Sequence, residues 1–357
     1  MPDLPLRVLV VREGQTIATF TPSEIISVSY VAYSPDNGFS GIATSSIDIT
    51  LANKTAGTPA CQKGDKITLS NCGDIPYFYV QDRSFDTYTT SLVAYDSCCK
   101  LDQEFDNSNF DELDSQGNIK LYTQAQVLEA IRYQTGLNIS SPVSTGEMYA
   151  KDDLQGSCRI ILEDMAAVNG FMWVCSTGNQ ITHVAYKSYL ATATVSEFSE
   201  VLADTSQTAF NGLVVNDLTY NETYSYGSGN VFKYIDSNLI KGNSNVGGTL
   251  YTRFQGIVYK SFSLKNAKLS TTFFGCIPQQ VTYPTGENTT ASALALNMSA
   301  VYTVDGWIID YSSPECKPAD NTYKSKDKRD LEKAVKKDQK MGVFFLNENG
   351  SGMRLKI

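Results

Sequence analysis

Residues 165–184 read MAAVNGFMWVCSTGNQITHV: an apolar helix ending at Gly170, an extended run FMWVC, the turn-forming STGNQ, and a second extended run from Ile181. Glycine is a common helix stop, because it enters left-handed backbone without a Cβ penalty. Phe171, Trp173 and Cys175 share one face of the first strand, and Met172 and Val174 take the other. Both faces are therefore expected to be covered. Trp173 and the single histidine, His183, thus fall on a hairpin hung from a helix. An active site, a metal site and a packing module inside a larger assembly are the three readings of such a unit.

Composition narrows them. A chain of 357 residues suggests about two or three domains. An apolar fraction of 42% gives each a core, and 21 Tyr and 16 Phe with many Ser and Thr favour strands. The net charge of −9 argues against binding to nucleic-acid phosphates as the main business. No apolar run approaches the roughly 18–20 residues that span a bilayer, so no membrane insertion is expected. The start, MPDLPLRVLVVREG, does not read as a signal peptide, since Asp3 and Arg12 bracket its short apolar stretch. The expectation is a chain made and kept in a cytoplasm, unless another route carries it out.

The eight cysteines stand at 61, 72, 98, 99, 158, 175, 276 and 316, without a CxxC pair. Zinc-finger spacings are missing, and buried free thiols are the expected state. Cys98 and Cys99, if on a strand, point to opposite faces and do not share a metal. No cofactor or metal ligand set is assigned.

Along the chain, residues 5–11, 24–33 and 43–51 read as strands. Ser45, Ile47 and Ile49 alternate with Ser46, Asp48 and Thr50, the period of a half-buried strand. KGDKITLS, PYFYVQDRSFD and TYTTSLVAYD continue that rhythm to residue 96, which describes a barrel or sandwich. The acidic stretch 102–118 has no EF-hand register from Asp102, Asp106, Asp111 or Asp114. It reads as a solvated loop, with an irregular calcium site left open. Thr123 and Gln126 form a capping box for a helix bearing Val127, Leu128 and Ile131 and leaving at Gly136. A second helix starts near Ser157 and carries Ile160, Ile161 and Met165 into the hairpin. Strand rhythm returns from about residue 200. The segment 317–340 is mixed in charge, with Glu332 and Lys336 at i,i+4, and reads as a solvated helix or linker. The end reads as strand, turn at Asn349-Gly350, strand.

Catalytic motifs are sparse. One histidine excludes HExxH and multi-histidine metal sites. A Ser–His–Asp triad is arithmetically available, but no GxSxG elbow accompanies His183. Carboxylate pairs of the glycosidase kind stay open, since only separation in space identifies them. Gly227-Ser228-Gly229 lies between strand-like runs and reads as a hairpin turn rather than a phosphate loop. Five N-x-S/T sequons, at Asn53, Asn138, Asn221, Asn288 and Asn297, are about what a Ser/Thr-rich chain gives by chance.

Four stretches in order carry a resemblance. They are SYVAYSPDNGFSGIATSSIDITLANKT; KGDKITLS with PYFYVQDRSFDTYTTSLVAYDSCCKL; DLQGSCRIILEDMAAVNGFMWVCSTGNQITHVAYK; and VVNDLTYNETYSYGSGNVFKYIDSNLI. The chain resembles the tail hub (baseplate hub) proteins of contractile bacteriophage tails and related injection machines, over roughly residues 5–280. Its STGNQ turn replaces that family's acidic-Gly pair, and residues after about 285 match no known pattern. The resemblance implies an α+β, mainly β fold: a tube-like barrel at 1–100, a helix-hairpin α/β module at 101–195, a second barrel at 196–285 and an extension at 286–357. It implies a homotrimer joining a hexameric tail tube, or tube initiator, to a trimeric central spike. Baseplate wedge proteins and the tape-measure protein complete the implied partners, in a phage virion tail or a phage-tail-like bacteriocin assembled in the host cytoplasm. The acidic balance suits a lumen along which DNA slides without adhering. Trp173 is then core, and no residue is catalytic. The rivals are a tail-tip protein with wall-degrading activity and a receptor-binding adhesin. About 70 residues remain beyond the resemblance, fewer than the roughly 100–150 of a common domain.

Thiol titration of unfolded, unreduced protein is expected to recover most of the eight cysteines; three or four disulfides would contradict this reading.

Overall fold

In the computed structural model the chain divides into two compact units, Met1–Pro318 and Ala319–Ile357. The structure describes residues 5–313 except 36–38, 71, 74, 204–207, 230, 231, 257, 260, 274 and 304, together with 344–346 and 352–354. The charged segment 317–340, Cys316 and the Asn349–Gly350 turn lie outside the described residues. The fold is α+β and mainly β.

The larger unit opens with β1 (Arg7–Arg12), β2 (Gln15–Phe20), β3 (Ile25–Tyr33), β4 (Ile42–Ala52), β5 (Lys66–Ser70), β6 (Phe78–Phe85) and β7 (Thr89–Asp96). They pair antiparallel in the order β2–β1–β5–β6–β7–β4–β3. On β4, Ser45, Ile47 and Ile49 are buried and Asp48 is exposed, so the alternation in the sequence is the alternation of the sheet. Cys98 and Cys99 are not on a strand. They sit in a 3-10 turn, Ser97–Asp102, because the Asp96 carboxylate accepts the Cys98 N–H at 2.9 Å and ends β7 there.

The middle of the chain holds β8 (Tyr122–Thr123), α1 (Gln124–Thr135), β9 (Asn138–Ile139), β10 (Met148–Tyr149), α2 (Cys158–Asn169), β11 (Phe171–Thr177) and β12 (Gln180–Ala185). The capping box forms as read, with Thr123 N–H donating to Gln126 Oε1 at 2.9 Å. Gly170 ends α2 at φ 66°, and a Cβ there would lie 2.6 Å from Leu250 Cδ1. The left-handed backbone therefore favours glycine, and a side chain there would have to push the Leu250 methyl aside. β11 pairs antiparallel with β12 and parallel with β4, so the hairpin extends the first sheet. Its STGNQ turn is docked: Gly178 N–H donates to Ile75 O at 3.2 Å, and Tyr77 N–H donates to Gly178 O at 3.0 Å.

Next come β13 (Ala191–Glu197), β14 (Glu200–Ala203), β15 (Thr208–Ala209), β16 (Gly212–Asp217), β17 (Glu222–Gly227), β18 (Phe232–Ser237), α3 (Ser244–Phe254) and β19 (Val258–Tyr259). β16 is central in a separate sheet, antiparallel to β17 and parallel to β18. Gly227 and Gly229 therefore do not close a hairpin: the strands they join flank β16 and do not pair with each other. Phe39 ties this part to the hairpin through edge contacts with Tyr186 at 5.1 Å and Phe254 at 5.1 Å.

The unit finishes with β20 (Phe262–Leu269), β21 (Gln279–Gly286), β22 (Thr289–Ala295), β23 (Asn297–Thr303) and β24 (Gly306–Ser313). β14, β20, β24 and β23 pair in that order, while β13 bridges β20 and β21, and β21 pairs with β22. This second group thus draws on 191–203 and 262–313, and the sheet at 212–237 interrupts it. Strands β22–β24 lie inside the segment expected to be an extension. Periodicity identifies strands, but partners depend on contacts far apart in sequence. In the smaller unit, β25 (Phe344–Leu346) pairs antiparallel with β26 (Gly352–Arg354).

Beside the first group's core, Arg12 grips Asp65 in a two-pronged pair, Nε to Oδ1 and Nη2 to Oδ2 at 2.8 Å each. Burial pushes the Asp65 carboxyl up, but the Arg12 bonds and the Gln62 N–H outweigh it, leaving its pKa below the ordinary value. A carboxyl lowered in the folded state adds stability above its unfolded pKa and loses it as pH falls. Asp65→Asn is expected to cost on the order of 1.5–3 kcal/mol at neutral pH in urea unfolding. The gap to wild type should narrow as pH drops below about 4; a constant gap would contradict the assignment.

Candidate functional site: the joined sheet face

β3 and β23 pair antiparallel from Tyr33↔Asn297 to Val28↔Tyr302, joining the two β groups edge to edge. Residues opposite one another share a face. β3 turns Val28, Tyr30 and Ala32 into the core and leaves Ser29, Val31 and Tyr33 outward. Across the ladder, Val31 faces Ser46 and Ser299, Ser29 faces Asp48 and Val301, and Ser46 faces Tyr95. The face continues onto β24, where Ser299 stands opposite Asp310, whose carboxylate is paired with Lys265 at 2.9 Å. Thr50 and Ser91 hydroxyls meet at 3.0 Å, beside a groove of about 270 Å³ that Ser27, Asp48 and Asp82 also line. The result is one outward surface running through both groups, rich in hydroxyls and poor in charge.

The hairpin is packing machinery. Trp173 is 0% exposed, and its Nε1–H donates to Leu162 O at 2.9 Å. His183 stands opposite it across the ladder and is half-buried. Ser140 Oγ accepts the His183 backbone N–H at 2.9 Å and lies 2.7 Å from Nδ1. Burial, then the charge of Arg253, lowers the imidazole pKa. Ser140 thus holds both the backbone and the ring of His183.

The buried carboxylates are likewise fastened. Glu147 accepts from Asn169 Nδ2 at 2.7 Å and from Thr145 N–H at 3.1 Å. Asp96 Oδ2 accepts from Ser45 N–H at 2.6 Å and Ser45 Oγ at 2.7 Å, and burial raises its pKa. In the acidic loop, Asp106 and Asp114 bond to backbone N–H groups of their own turns, and Asp111 pairs with Lys120 at 2.6 Å.

Cys61, Cys98, Cys99, Cys158 and Cys175 are thiols outside any disulfide. Burial pushes Cys61, Cys99 and Cys158 up to about 11, which makes them poor nucleophiles. Cys98 is raised by its hydrogen bond with Cys175 and by burial. Asp96, Cys98 and Cys175 offer ligand atoms within 4.8 Å of one another, all buried. Sequence reading did not find this convergence. It had no signal there: Cys175 sits on the hairpin, far along the chain from the end of β7.

No family model matches the chain, and no curated protein matches it. Solved structures do. The 43 kDa tail protein of prophage MuSo2 from Shewanella oneidensis aligns with a TM-score of 0.53 at 11% identity, over 87% of this chain and 97% of that one. A tail protein from Neisseria meningitidis aligns with a TM-score of 0.53 at 12% identity, over 88% and 97%. A type VI secretion component from E. coli, described as similar to phage T4 tail proteins, aligns at 9% identity over 84% and 75%, with a TM-score of 0.43. The chain therefore has the fold of phage tail proteins.

Trp173→Ala is expected to lower stability by about 3–5 kcal/mol in denaturant unfolding; an unchanged melting temperature would contradict its place in the core.

Proposed function

We propose that this chain is a structural hub of a contractile phage tail or a related injection particle, without catalytic activity of its own. The observation that carries the reading is the β3–β23 pairing, which makes one sheet from two strand groups and gives it a continuous outward face. The first group is the tube-like lobe of residues 1–100. The second is the lobe begun by β13 and β14 and completed by β20–β24. The α/β module, from 101 to the start of β13, lies between them in sequence.

Three such chains supply six comparable lobes. A head-to-tail interface that closes by rotation makes a ring of them, matching a hexameric tail tube or tube initiator on one side. The opposite side then presents threefold symmetry to a central spike, with baseplate wedge proteins around it. The hydroxyl-rich face lines the axial channel. Its charged members among the described residues include Asp48, Asp82 and Arg83 at the groove and the Asp310–Lys265 pair, so acidic side chains outnumber basic ones along the wall that a passing polyanion or tape-measure protein would meet. The likeness to the two tail proteins, which extends over nearly all of each, supports this role.

Imaging of the particle or of the purified assembly is expected to show three copies around the tail axis, with Ser46 and Ser299 facing the channel. Mass measurement at high concentration should find a three-chain species. A particle image placing the chain off the axis would overturn the proposal.

A further inference from the structure

The end of β7, the turn that follows it and β11 meet at Asp96, Cys98 and Cys175, three segments whose ligand atoms lie within 4.8 Å of one another. We propose that these residues bind one borderline divalent cation of the zinc type, as a structural staple between the first strand group and the hairpin. The donor set is two sulfurs and a carboxylate oxygen, which suits Zn²⁺. A tetrahedral zinc with Zn–S of about 2.3 Å sets its sulfurs about 3.8 Å apart, so the observed cluster needs at most about 1 Å of contraction.

The surroundings are those of a held ligand. Ser45 donates twice to Asp96 Oδ2, at 2.6 and 2.7 Å, and Cys98 N–H donates to Oδ1 at 2.9 Å. Outer hydrogen bonds of this kind fix a metal-binding carboxylate in place. Against the cluster lies a cavity of about 10 Å³, lined by Asp96, Cys175, Ser45, Tyr30 and Cys276. That is room for one water-sized fourth ligand. On loading, two S–H bonds break and two protons leave to solvent, while two S–metal bonds and one O–metal bond, from a lone pair of the Asp96 carboxylate, form; no oxidation state changes. Because the site is buried, the ion enters during folding rather than afterwards.

The full chain, unfolded with a chelator, is refolded either with excess Zn²⁺ or with chelator, desalted, and assayed by mass spectrometry for metal. The expected result is about one zinc per chain and a higher melting temperature than the chelator-refolded sample. Cys98→Ser and Cys175→Ser should each cut bound zinc by about tenfold or more, while Cys99→Ser, whose thiol is outside the cluster, should keep it. Circular dichroism shows whether each variant has folded. If the ligand variants do not fold, wild type refolded with Co²⁺ decides: sulfur-to-cobalt charge-transfer absorption supports the site, and its absence overturns it. Zinc well below one per chain in wild type, or zinc retained by the folded Cys98→Ser/Cys175→Ser double variant, overturns it as well.

Discussion

The antiparallel ladder between β3 and β23 holds a strand from near the start of the chain against one from near the end of the larger unit. Without it both would be edges, each with a row of unpaired backbone donors and acceptors. With it, β6, β7, β4, β3, β23, β24 and β20 form one surface in unbroken sequence. Its register is severe. Tyr30 and Ala300 are both core, and they stand directly opposite each other. A slip by one residue would turn Tyr30, Val28 and Ala32 to solvent and bring Ser29 and Val31 inside. The same two-residue period that protects the core thus determines the composition of the outward face.

The hairpin depends on that sheet in turn. β11 extends it by pairing parallel with β4, and Trp173 N–H donates to Gly41 O at 2.9 Å. Parallel strands need a long crossover, and the chain from β4 to β11 supplies it with the remaining strands of the first group, α1 and α2. Burying both faces of β11 is the consequence, because α2 lies over one side, where Leu162 receives the indole hydrogen bond. Tryptophan tolerates such burial when its N–H finds an acceptor. The question posed by an aromatic hairpin on a helix is therefore answered by packing.

Much of this was legible in residues close together in sequence. The Thr123/Gln126 box, the Gly136 and Gly170 exits, the alternation of β4 and the two-sided burial of Phe171–Cys175 each depend on neighbours within a few positions, and each is present. What the sequence concealed depends on distant partners. Nothing in VVNDLTY announces that β16 sits between β17 and β18 in a sheet of its own. Nothing in the run from Thr289 to Ser313 announces a return to β3 and β20. The strand rhythm of TYTTSLVAYD is clear up to Asp96, but it does not announce that a single side chain, Asp96 itself, turns the backbone there and takes Cys98 off the strand. The outward face was half legible: its serines and threonines are visible in the strands, but their joining across two groups is a property of the pairing alone.

The apolar core is continuous from Val8 and Ile47 through Leu162 and Trp173 to Phe262 and Ile309. Apolar contact is non-directional, so continuity alone would let the parts slide against one another. Buried polar groups stand at the junctions. Tyr30 OH donates to Gly275 O, joining β3 to the loop before β21. Asp96 holds Ser45 beside the hairpin, and Arg253 on α3 donates to the backbone carbonyl of buried Asn169 at 2.7 Å. Each bond contributes little net stability, but a buried donor or acceptor left without a partner costs about 1–3 kcal/mol. Sliding any junction by a few ångströms would leave several of these groups unpaired at once, while most apolar contacts would re-form. The hydrophobic core thus supplies cohesion, and this small set of polar bonds selects one arrangement of the parts.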